Sequence, residues 1–349
     1  MADITMVMVG DNYVQRKEPD TAFAPARPYL KDADIGFCNL ETVIADAKYL
    51  APHDHDRRPR TEEWIFPYYL KAGFNVFNIA NNPVWYHGRD CFNRSLDVLD
   101  AAGAVYGGGG RNIAAARKPA VIEKKGTKVA FVCRTSIGAL DAGAAEDRSG
   151  VARFRVSTHY ESHPRAHEVP GSPPIIHTVP NPQDKDDLAA DIQAARELAD
   201  VVVLSWHWGV SHASGGHGDV VGYQKEMAHF AIDHGVNLVV GHHPHEPQPI
   251  EVYKGAAFVY SLGNYMHDMS GMRGFSTGHH MVAQLMRVAI QDGKITRVAF
   301  VPGTISNGNG PPDFFRPADA PDVVRHLCNI AAPFGTKFEV GTDDVAVVS

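Results

Sequence analysis

The sequence predicts an α/β layered fold, because short apolar segments rich in β-branched residues alternate with amphipathic helical segments. The apolar segments lack regular polar alternation, which is typical of strands buried on both faces of a sheet. They are Ile4–Val9, Ile35–Asn39, Val76–Ile79, Val129–Cys133, Val201–Ser205, Leu238–Val240 and Phe258–Ser261. The helical segments are Asn93–Ala102, Lys185–Ala199 and Gln224–His234.

A hairpin and two irregular segments interrupt this alternation. Met281–Ile290 and Ile295–Pro302 flank Asp292-Gly293, a turn pair typical of β-hairpins. Pro52–Arg60 is charged, and Gly138–Pro182 is rich in Gly, Pro and His with little periodicity. A loop as long as 138–182 usually serves function or is disordered. We interpret it as either a lid beside the active site or a surface insertion.

No shift in composition marks a second independent domain. We predict a catalytic domain over residues 1–310 and a tail over 311–349 that packs on the same domain. The tail is expected to form a helix around Val323–Ala331 and a closing strand.

Composition excludes some classes of protein. The 349 residues are 44% hydrophobic and 21% charged, which is ordinary for a globular enzyme. A net charge of −7 argues against nucleic-acid binding, although a small anionic substrate remains compatible with it. Met1–Gly10 lacks a basic region and is interpreted as a first strand, so we expect a cytoplasmic protein without a membrane segment. The four cysteines form no CxxC pair and are expected to be reduced thiols.

Nineteen histidines, several of them clustered, make a metal site worth seeking. Polar residues follow the predicted strands in order, at the carboxyl ends where an α/β sheet binds its ligands. They are Asp11, Glu41, Asn81 and Asn82, His207, and the histidines of Gly241-His242-His243-Pro244-His245. Carboxylate, amide and imidazole ligands together suit a pair of divalent ions such as Mn, Fe, Zn or Ca. Such ions would generate a hydroxide nucleophile near neutral pH.

Each of these residues also has a structural interpretation. A lone Gly-Asp or Asn-Asn-Pro is more often a turn, and a single His beside Trp206 and Trp208 is more often packed in the core. Three histidines within four residues behind a buried strand favour metal binding instead. The ordered set is more specific than any member.

The motif order GD, NLE, ANN, HWG, GHHPH and YSLGN resembles the CapA (poly-γ-glutamate capsule biosynthesis) family, a branch of the calcineurin-like metallophosphoesterases. The resemblance covers nearly the whole chain and implies a four-layer α/β/β/α sandwich of metallo-dependent phosphatase type. It also implies two metal ions. Their ligands would be Asp11, Glu41 as the bridge, Asn82, His207, His243 and His245. His242 is an alternative to His243, since the GHxH spacing fits this cluster in two ways.

The chain departs from the phosphoesterase pattern at the general acid. The histidine that usually follows the Asn ligand is replaced by Pro83, and Tyr13 stands where another histidine is usual. Because proline cannot transfer a proton, ordinary phosphomonoesterase activity is not expected. Substitutes for the acid or base are Tyr86, His87, His212, His217 and His267, with His217 and His212 favoured by their place in a Gly-rich loop after His207.

Arginines are candidates for binding an anionic substrate, since their planar guanidinium matches carboxylate or phosphate. Arg134 ends a predicted strand, and Arg58 lies in the charged segment with Arg57 and Arg60. In that segment a run of charges is more often simply solvated.

Three functions remain open. The leading one is a metal-dependent hydrolase that uses metal-bound hydroxide on an amide, ester, lactone or phosphate-type bond of a small or peptide-like anionic substrate. The second is a metal-dependent epimerase or lyase that stabilises an enolate. Such a reaction needs a base and an electrophile, so it does not depend on the missing general acid. The third is a non-enzymatic protein that handles the capsule polymer.

Overall fold

A computed structural model describes residues 3–51, 58–211, 219–268, 282–305 and 310–348. Within these residues, two mixed β-sheets form the body of the protein. The first sheet runs, from edge to edge, through Lys337–Val340, Val345–Val348, Lys294–Ile305, Val282–Gln291, Ile4–Tyr13, Ile35–Leu40, Val76–Asn78 and Val105–Gly107. Two short strands join it, Asn264–His267 beside Ile4–Tyr13 and Pro312–Phe314 beside Lys294–Ile305. The second sheet runs through Ile250–Tyr253, Ala256–Val259, Leu238–His242, Val201–His207, Thr127–Thr135 and Ala120–Lys124.

The helices cover the sheets, and three short strand pairs lie outside the two sheets. The α-helices are Asp20–Phe23, Arg27–Leu30, Phe66–Ala72, Gly88–Ala101, Ile113–Arg117, Pro182–Leu198, Gly222–Asp233 and Pro321–Ala331. The short pairs are Val43–Ile44 with Arg60–Thr61, Gly109–Gly110 with Gly150–Val151, and Val156–Glu161 with Ile175–Pro180.

The two sheets share one hydrophobic core. Met6 and Phe37 of the first sheet pack in it with Phe131, Val203 and similar residues of the second. Alternate residues of the same strands point outward because side chains alternate between the faces of a strand. Val9 and Phe77 therefore pack among the helices on the outer face of the first sheet.

The outer face of the second sheet is covered in the same way. Leu204 and Trp206 pack against Ile192 of the helix Pro182–Leu198 and Met227 of the helix Gly222–Asp233. Each sheet is thus buried on both faces, as the apolar strand segments predict.

All seven predicted strands and three predicted helices are present, with shifted ends. The largest shifts reflect tertiary contacts. Ile4–Tyr13 runs four residues beyond the predicted end at Val9 because Asn264–His267 pairs with its last part. The predicted hairpin is confirmed, and its turn residues Asp292 and Gly293 both have positive φ, as a type I′ turn requires.

The segment 138–182 contains more regular structure than its composition predicts. Its strands Val156–Glu161 and Ile175–Pro180 form an antiparallel hairpin whose residues are mostly exposed, including Tyr160 and Ile176. The helix Pro182–Leu198 begins at its end, where Asn181 caps the first turn. Whether the hairpin acts as a lid stays a prediction.

The tail packs on the same body as the rest of the chain. Val324 and Leu327 of the helix Pro321–Ala331 contribute to the core between the sheets. Val345–Val348 pairs with Lys294–Ile305, and Lys337–Val340 adds a second strand that the sequence did not predict. The proposed division at residue 310 remains a prediction.

Candidate metal centre

The predicted ligands lie at one end of both sheets. Asp11 lies inside the first strand of the chain, whereas Glu41 directly follows Ile35–Leu40. His207 is the last residue of its strand, and His243 comes one residue after Leu238–His242. Asn82 precedes a 3₁₀ turn that begins at Pro83. We call Asp11, Glu41, Asn82, His207, His243 and His245 the metal centre.

Glu41, His243 and His245 form the tightest group. One ligand atom from each of the three lies within 4.8 Å of the others. Nε2 of His245 is 3.7 Å from Oε1 of Glu41, and Nε2 of His207 is 3.6 Å from the same oxygen. The side chains of Glu41 and His207 are almost fully buried. A carboxylate between imidazoles at these distances is a suitable donor set for a divalent ion.

Asp11 is held in place by two hydrogen bonds. Asn39 Nδ2 donates to Oδ1 at 2.7 Å, and the backbone N–H of His243 donates to Oδ2 at 3.1 Å. Oδ2 also lies 3.4 Å from Nδ1 of His245. The carboxylate of Asp11 therefore contacts both the second strand and the histidine cluster.

Asn82 and His207 contact each other directly. Oδ1 of Asn82 lies 2.8 Å from Nε2 of His207, and Nδ2 of Asn82 donates to the hydroxyl of Tyr86. The amide oxygen of Asn82 therefore faces the centre and is available as a ligand.

His242 and His243 have different surroundings. Nε2 of His242 lies 3.1 Å from Oγ of Ser205, and its ring stacks on Phe37 at 6.0 Å in the core between the sheets. His243 instead lies with Glu41 and His245, and its Nδ1 has no hydrogen-bond partner among the described residues. These contacts favour His243 over His242 as the ligand, although Nδ1 of His242 lies 3.9 Å from Asp11.

The backbone of the histidine cluster is strained. His243 and His245 have φ values of 96° and 64°, in the left-handed region that non-glycine residues rarely adopt. Such strain costs on the order of 1–3 kcal/mol per residue and concentrates at functional sites. Gly241, just before this cluster, allows a close approach to the backbone of Tyr260, because an added Cβ would lie 1.8 Å from the Tyr260 carbonyl oxygen.

Burial shifts the pKa values of two carboxyls and three imidazoles at this place. Burial raises the pKa of Asp11, and burial together with the charge of Asp11 raises the pKa of Glu41 well above its usual range. Burial lowers the pKa of His242 to about 3, and burial followed by the neighbouring His245 lowers that of His243 to about 3. The pKa of His207 is also well below its usual value, mainly because of burial. The imidazoles of His207, His242 and His243 are therefore neutral at physiological pH, as metal ligands must be.

Several buried polar atoms at this place lack a hydrogen-bond partner among the described residues. They are Oε2 of Glu41, Nδ1 of His242, Nδ1 of His243 and Nε2 of His267. Four such atoms in one cluster are costly unless something compensates them. Divalent cations would compensate them, so the residues present fit a metal centre.

Two predicted acid or base residues lie at the centre. Tyr86 contacts Asn82, and burial followed by the charge of Glu41 raises the pKa of its hydroxyl. Nε2 of His267 lies 3.5 Å from Oε2 of Glu41, and burial lowers its pKa to about 4. His87 is buried, and its Nε2 lies 3.4 Å from the carbonyl oxygen of Arg58. This contact with the backbone suits a structural role for His87.

The predicted arginines differ in position. Arg58 is exposed, lies 5.5 Å from the centre of the Tyr86 ring and donates to the Tyr86 carbonyl oxygen at 3.3 Å. Arg60 is buried and donates to the carbonyl oxygen of Ala45. Arg134 does not point toward the metal centre, because its guanidinium is ion-paired with Asp191 on the outer face of the second sheet. His212, His217 and Arg57 lie outside the described residues.

Two supporting residues were not assigned a role from the sequence. Asn39 contacts Asp11 and lies 3.2 Å from Nδ1 of His207, and Oδ1 of Asn264 lies 2.9 Å from Nδ1 of His245. Asn39 lies in the motif NLE and Asn264 in the motif YSLGN. Membership of these motifs was the sequence feature that could have pointed to them. Groups that hold ligands from behind tune metal affinity.

Comparison with known proteins identifies the family. The family model described as bacterial capsule synthesis protein PGA_cap matches residues 3–269. The chain belongs to the PGA_cap family. This assignment confirms the resemblance to CapA, and the match includes every residue of the metal centre.

Three relatives of the PGA_cap chain illustrate the similarity. The capsule biosynthesis protein CapA of Bacillus anthracis is 28% identical over 284 residues, covering 77% of this chain and 61% of that protein. The PGA biosynthesis protein CapA of Bacillus subtilis (strain 168) is 25% identical over 274 residues, covering 78% and 63%. A probable polyglutamine synthesis accessory protein of Mycobacterium tuberculosis is 29% identical over 250 residues, covering 69% and 57%. The chain thus matches less than two thirds of the length of each relative.

Among the described residues, none of the helices combines the length and apolar character needed to cross a membrane.

Proposed function

We propose that this protein is a metal-dependent hydrolase with two divalent ions, built as a four-layer α/β/β/α sandwich of metallophosphoesterase type. The observation that carries the proposal is the convergence of Glu41, His243 and His245, with ligand atoms within 4.8 Å of one another. The cores on both faces of each sheet support the layer arrangement. Family membership supports the link to metallophosphoesterases.

The six residues of the metal centre would hold the ions, with Glu41 between them. Divalent ions, when bound, lower the pKa of water and polarise the bond under attack. Asp11 is fixed by Asn39 for this task, and Asn264 orients His245. Among the described residues, the partly buried Tyr86 hydroxyl and the His267 imidazole lie near Glu41 and could hold or move a proton at the leaving atom.

We propose a carboxylate-bearing amide as the substrate class, with poly-γ-glutamate as its source. The printed names of two relatives refer to capsule and PGA biosynthesis, and that of a third to polyglutamine synthesis. The exposed guanidinium of Arg58, beside Tyr86, is suited to bind a substrate carboxylate. We further propose that ordinary phosphomonoesters are poor substrates, because Pro83 replaces the usual proton donor.

The experiment combines metal analysis with an activity assay. Elemental analysis of purified wild-type protein should find divalent metal, whereas Glu41→Gln and His243→Ala should lose most of it. His229→Ala is the matched control, since Nε2 of His229 lies 2.7 Å from Glu251 in another imidazole–carboxylate pair away from the centre. The same proteins should be tested for hydrolysis of glutamate-containing amides, esters and lactones, measured as release of an amine, an alcohol and a hydroxy acid, respectively.

The results distinguish a metal-dependent hydrolase from a protein that binds no metal. Loss of metal and of amide hydrolysis in the two centre variants, but not in His229→Ala, would support it. Wild-type protein that retains no metal after supply of Mn or Zn would refute it.

A second candidate is a non-enzymatic protein that handles the polymer, which the word accessory in the printed name of the Mycobacterium tuberculosis relative supports. Metal binding without turnover of any amide, ester or lactone, combined with binding of the polymer, would select this alternative.

A further inference from the structure

A cavity of about 300 Å³ on the outer face of the second sheet is lined by arginines. It lies where the helix Pro182–Leu198 meets the segment after Thr127–Thr135. Five arginine side chains contribute to its wall: Arg117, Arg134, Arg148, Arg153 and Arg155. Such a concentration of guanidinium groups requires compensating negative charge.

Aspartates of one helix neutralise three of the five. Arg117 binds Asp191 at 2.8 Å and Asp187 at 2.9 Å, and Arg134 is also paired with Asp191. Arg155 binds Asp184 at 2.6 Å. These arginines serve to attach the helix to the sheet.

Arg148 and Arg153 are different. Neither has a carboxylate within ion-pairing distance among the described residues. Nη1 of Arg153 donates only to the carbonyl oxygen of Ala139, at 3.2 Å, and its buried Nε has no hydrogen-bond partner. Burial, followed by the charge of Arg155, lowers the pKa of Arg153, and the smaller opposing effects of Asp184 and Asp141 do not offset them. Three of the five arginines are thus paired with Asp184, Asp187 or Asp191, whereas the two charges of Arg148 and Arg153 are without an ion-paired carboxylate among the described residues.

We propose that this arginine cavity is a binding site for a carboxylate-bearing anion, separate from the metal centre. Arg148 and Arg153 supply the two charges, and their guanidinium groups match carboxylates in a bidentate manner. The wall also includes Ile113, Leu140 and Ala144, which suit the methylene groups between two carboxylates. A ligand with two carboxylates therefore fits both the charge and the lining of the cavity better than inorganic phosphate.

The cavity shares a loop with the metal centre. Gly138 packs beside Asn82, where an added Cβ would lie 3.6 Å from its Cα, and the same loop lines the cavity at Leu140 and Gly143. Thr135, just before this loop, contacts the carbonyl oxygen of His207 through its hydroxyl at 3.3 Å. The anion site therefore lies one loop away from the metal centre, whatever reaction that centre performs.

Isothermal titration calorimetry on the metal-loaded protein tests the proposal. The probes are glutarate, a penta-glutamate peptide, an uncharged penta-glutamine peptide and inorganic phosphate. The variant Arg148→Gln/Arg153→Gln removes both unpaired charges, and the matched control Arg325→Gln removes one exposed arginine elsewhere, paired only with Asp322. Glu41→Gln, which is expected to have lost its metal and is titrated in that state, separates binding in the cavity from binding at the metal centre. The exposed single variant Arg148→Gln replaces the double variant if the latter does not fold.

We expect the cavity to bind glutarate or penta-glutamate alike in wild type, Arg325→Gln and Glu41→Gln, and at least about ten-fold more weakly in the double variant. Any additional binding of penta-glutamate that only Glu41→Gln loses belongs to the metal centre. Similar affinity for the two probes would identify a free dicarboxylate as the ligand, and tighter binding of the peptide would identify a polymer. Equal binding to wild type and the double variant would overturn the proposal. So would loss of binding only in Glu41→Gln, binding of phosphate alone, or no binding of any probe to wild type.

Discussion

Asn39 Nδ2 donates a 2.7 Å hydrogen bond to Asp11 Oδ1 and also lies 3.2 Å from Nδ1 of His207. One neutral amide thus contacts a carboxylate from the first sheet and an imidazole from the second. This hydrogen bond is among the contributions that lower the pKa of Asp11, against the larger effect of burial, which raises it. Asn39 therefore helps to keep Asp11 ionised and correctly oriented for metal binding.

Replacing Asn39 by Ala should weaken metal binding. Asp11 would lose a donor, so its pKa would rise further and its orientation would loosen. Groups that support metal ligands contribute roughly ten- to a hundred-fold in affinity, and we expect a loss of that size in competition with a chelator. Asn75→Ala is the control, because Asn75 makes comparable hydrogen bonds to Gly36 and Asp34 at the other end of the same strand. Equal metal affinity in both variants would contradict the role of Asn39.

Metal binding should release protons and weaken as the pH falls. In the metal-free protein the carboxyls of Asp11 and Glu41 have raised pKa values, so they keep protons at a higher pH than exposed carboxyls and must lose them to bind a cation. His242 and His243, with pKa values of about 3, stay neutral across the same range and do not compete.

Calorimetry in two buffers of different ionisation enthalpy measures this release. Affinity should fall by about ten-fold per pH unit for each proton displaced. A fall centred near the ordinary imidazole pKa, without proton release at neutral pH, would show that the carboxyls are already ionised in the metal-free protein.

Hydrolysis of alkyl phosphates should be slow even with metal present. Pro83 is buried at the start of its 3₁₀ turn and has no proton to give. General acids contribute about a hundred- to ten-thousand-fold in rate, so the rate on an alkyl phosphate should fall far below that on p-nitrophenyl phosphate, whose leaving group needs little protonation. Rapid metal-dependent turnover of the alkyl ester would instead identify another acid, and Tyr86→Phe and His267→Ala would then show which one.

The exposed hairpin of Val156–Glu161 and Ile175–Pro180 should influence activity without affecting metal content, if it acts as a lid. Replacing residues 160–176 by a short Gly-Ser linker removes its tip but keeps Thr178, which accepts a hydrogen bond from the backbone N–H of Tyr223. A lid predicts a large loss of activity on the true substrate and a smaller loss on small activated esters. Unchanged kinetics on both would leave only a surface insertion.

The local patterns of the sequence were enough to predict the strands, the main helices and the order of the motifs. Periodicity reports which residues are buried, so the apolar runs identified seven strands of the two sheets without any knowledge of their pairing. The cluster of His242, His243 and His245 was recognisable because these candidate ligands are close together along the chain. The hairpin Val156–Glu161 with Ile175–Pro180 was missed, since its strands are exposed and carry little hydrophobic signal.

The tertiary structure decided which of these side chains meet. Asn264–His267 was not a predicted strand, yet its parallel pairing with Ile4–Tyr13 brings His267 beside Glu41 and Asn264 beside His245. Thr135 contacts the carbonyl oxygen of His207, whereas its neighbour Arg134 does not face the metal centre. Side chains alternate along a strand, so the side chain of Arg134 lies on the outer face of the sheet and forms an ion pair with Asp191. The amino-acid sequence by itself determined the fold class and the supply of ligands, because burial and residue chemistry are local properties. Tertiary contacts decided which candidate ligands converge and which arginines surround a separate cavity, since register and facing depend on residues that lie tens to hundreds of positions apart in the sequence.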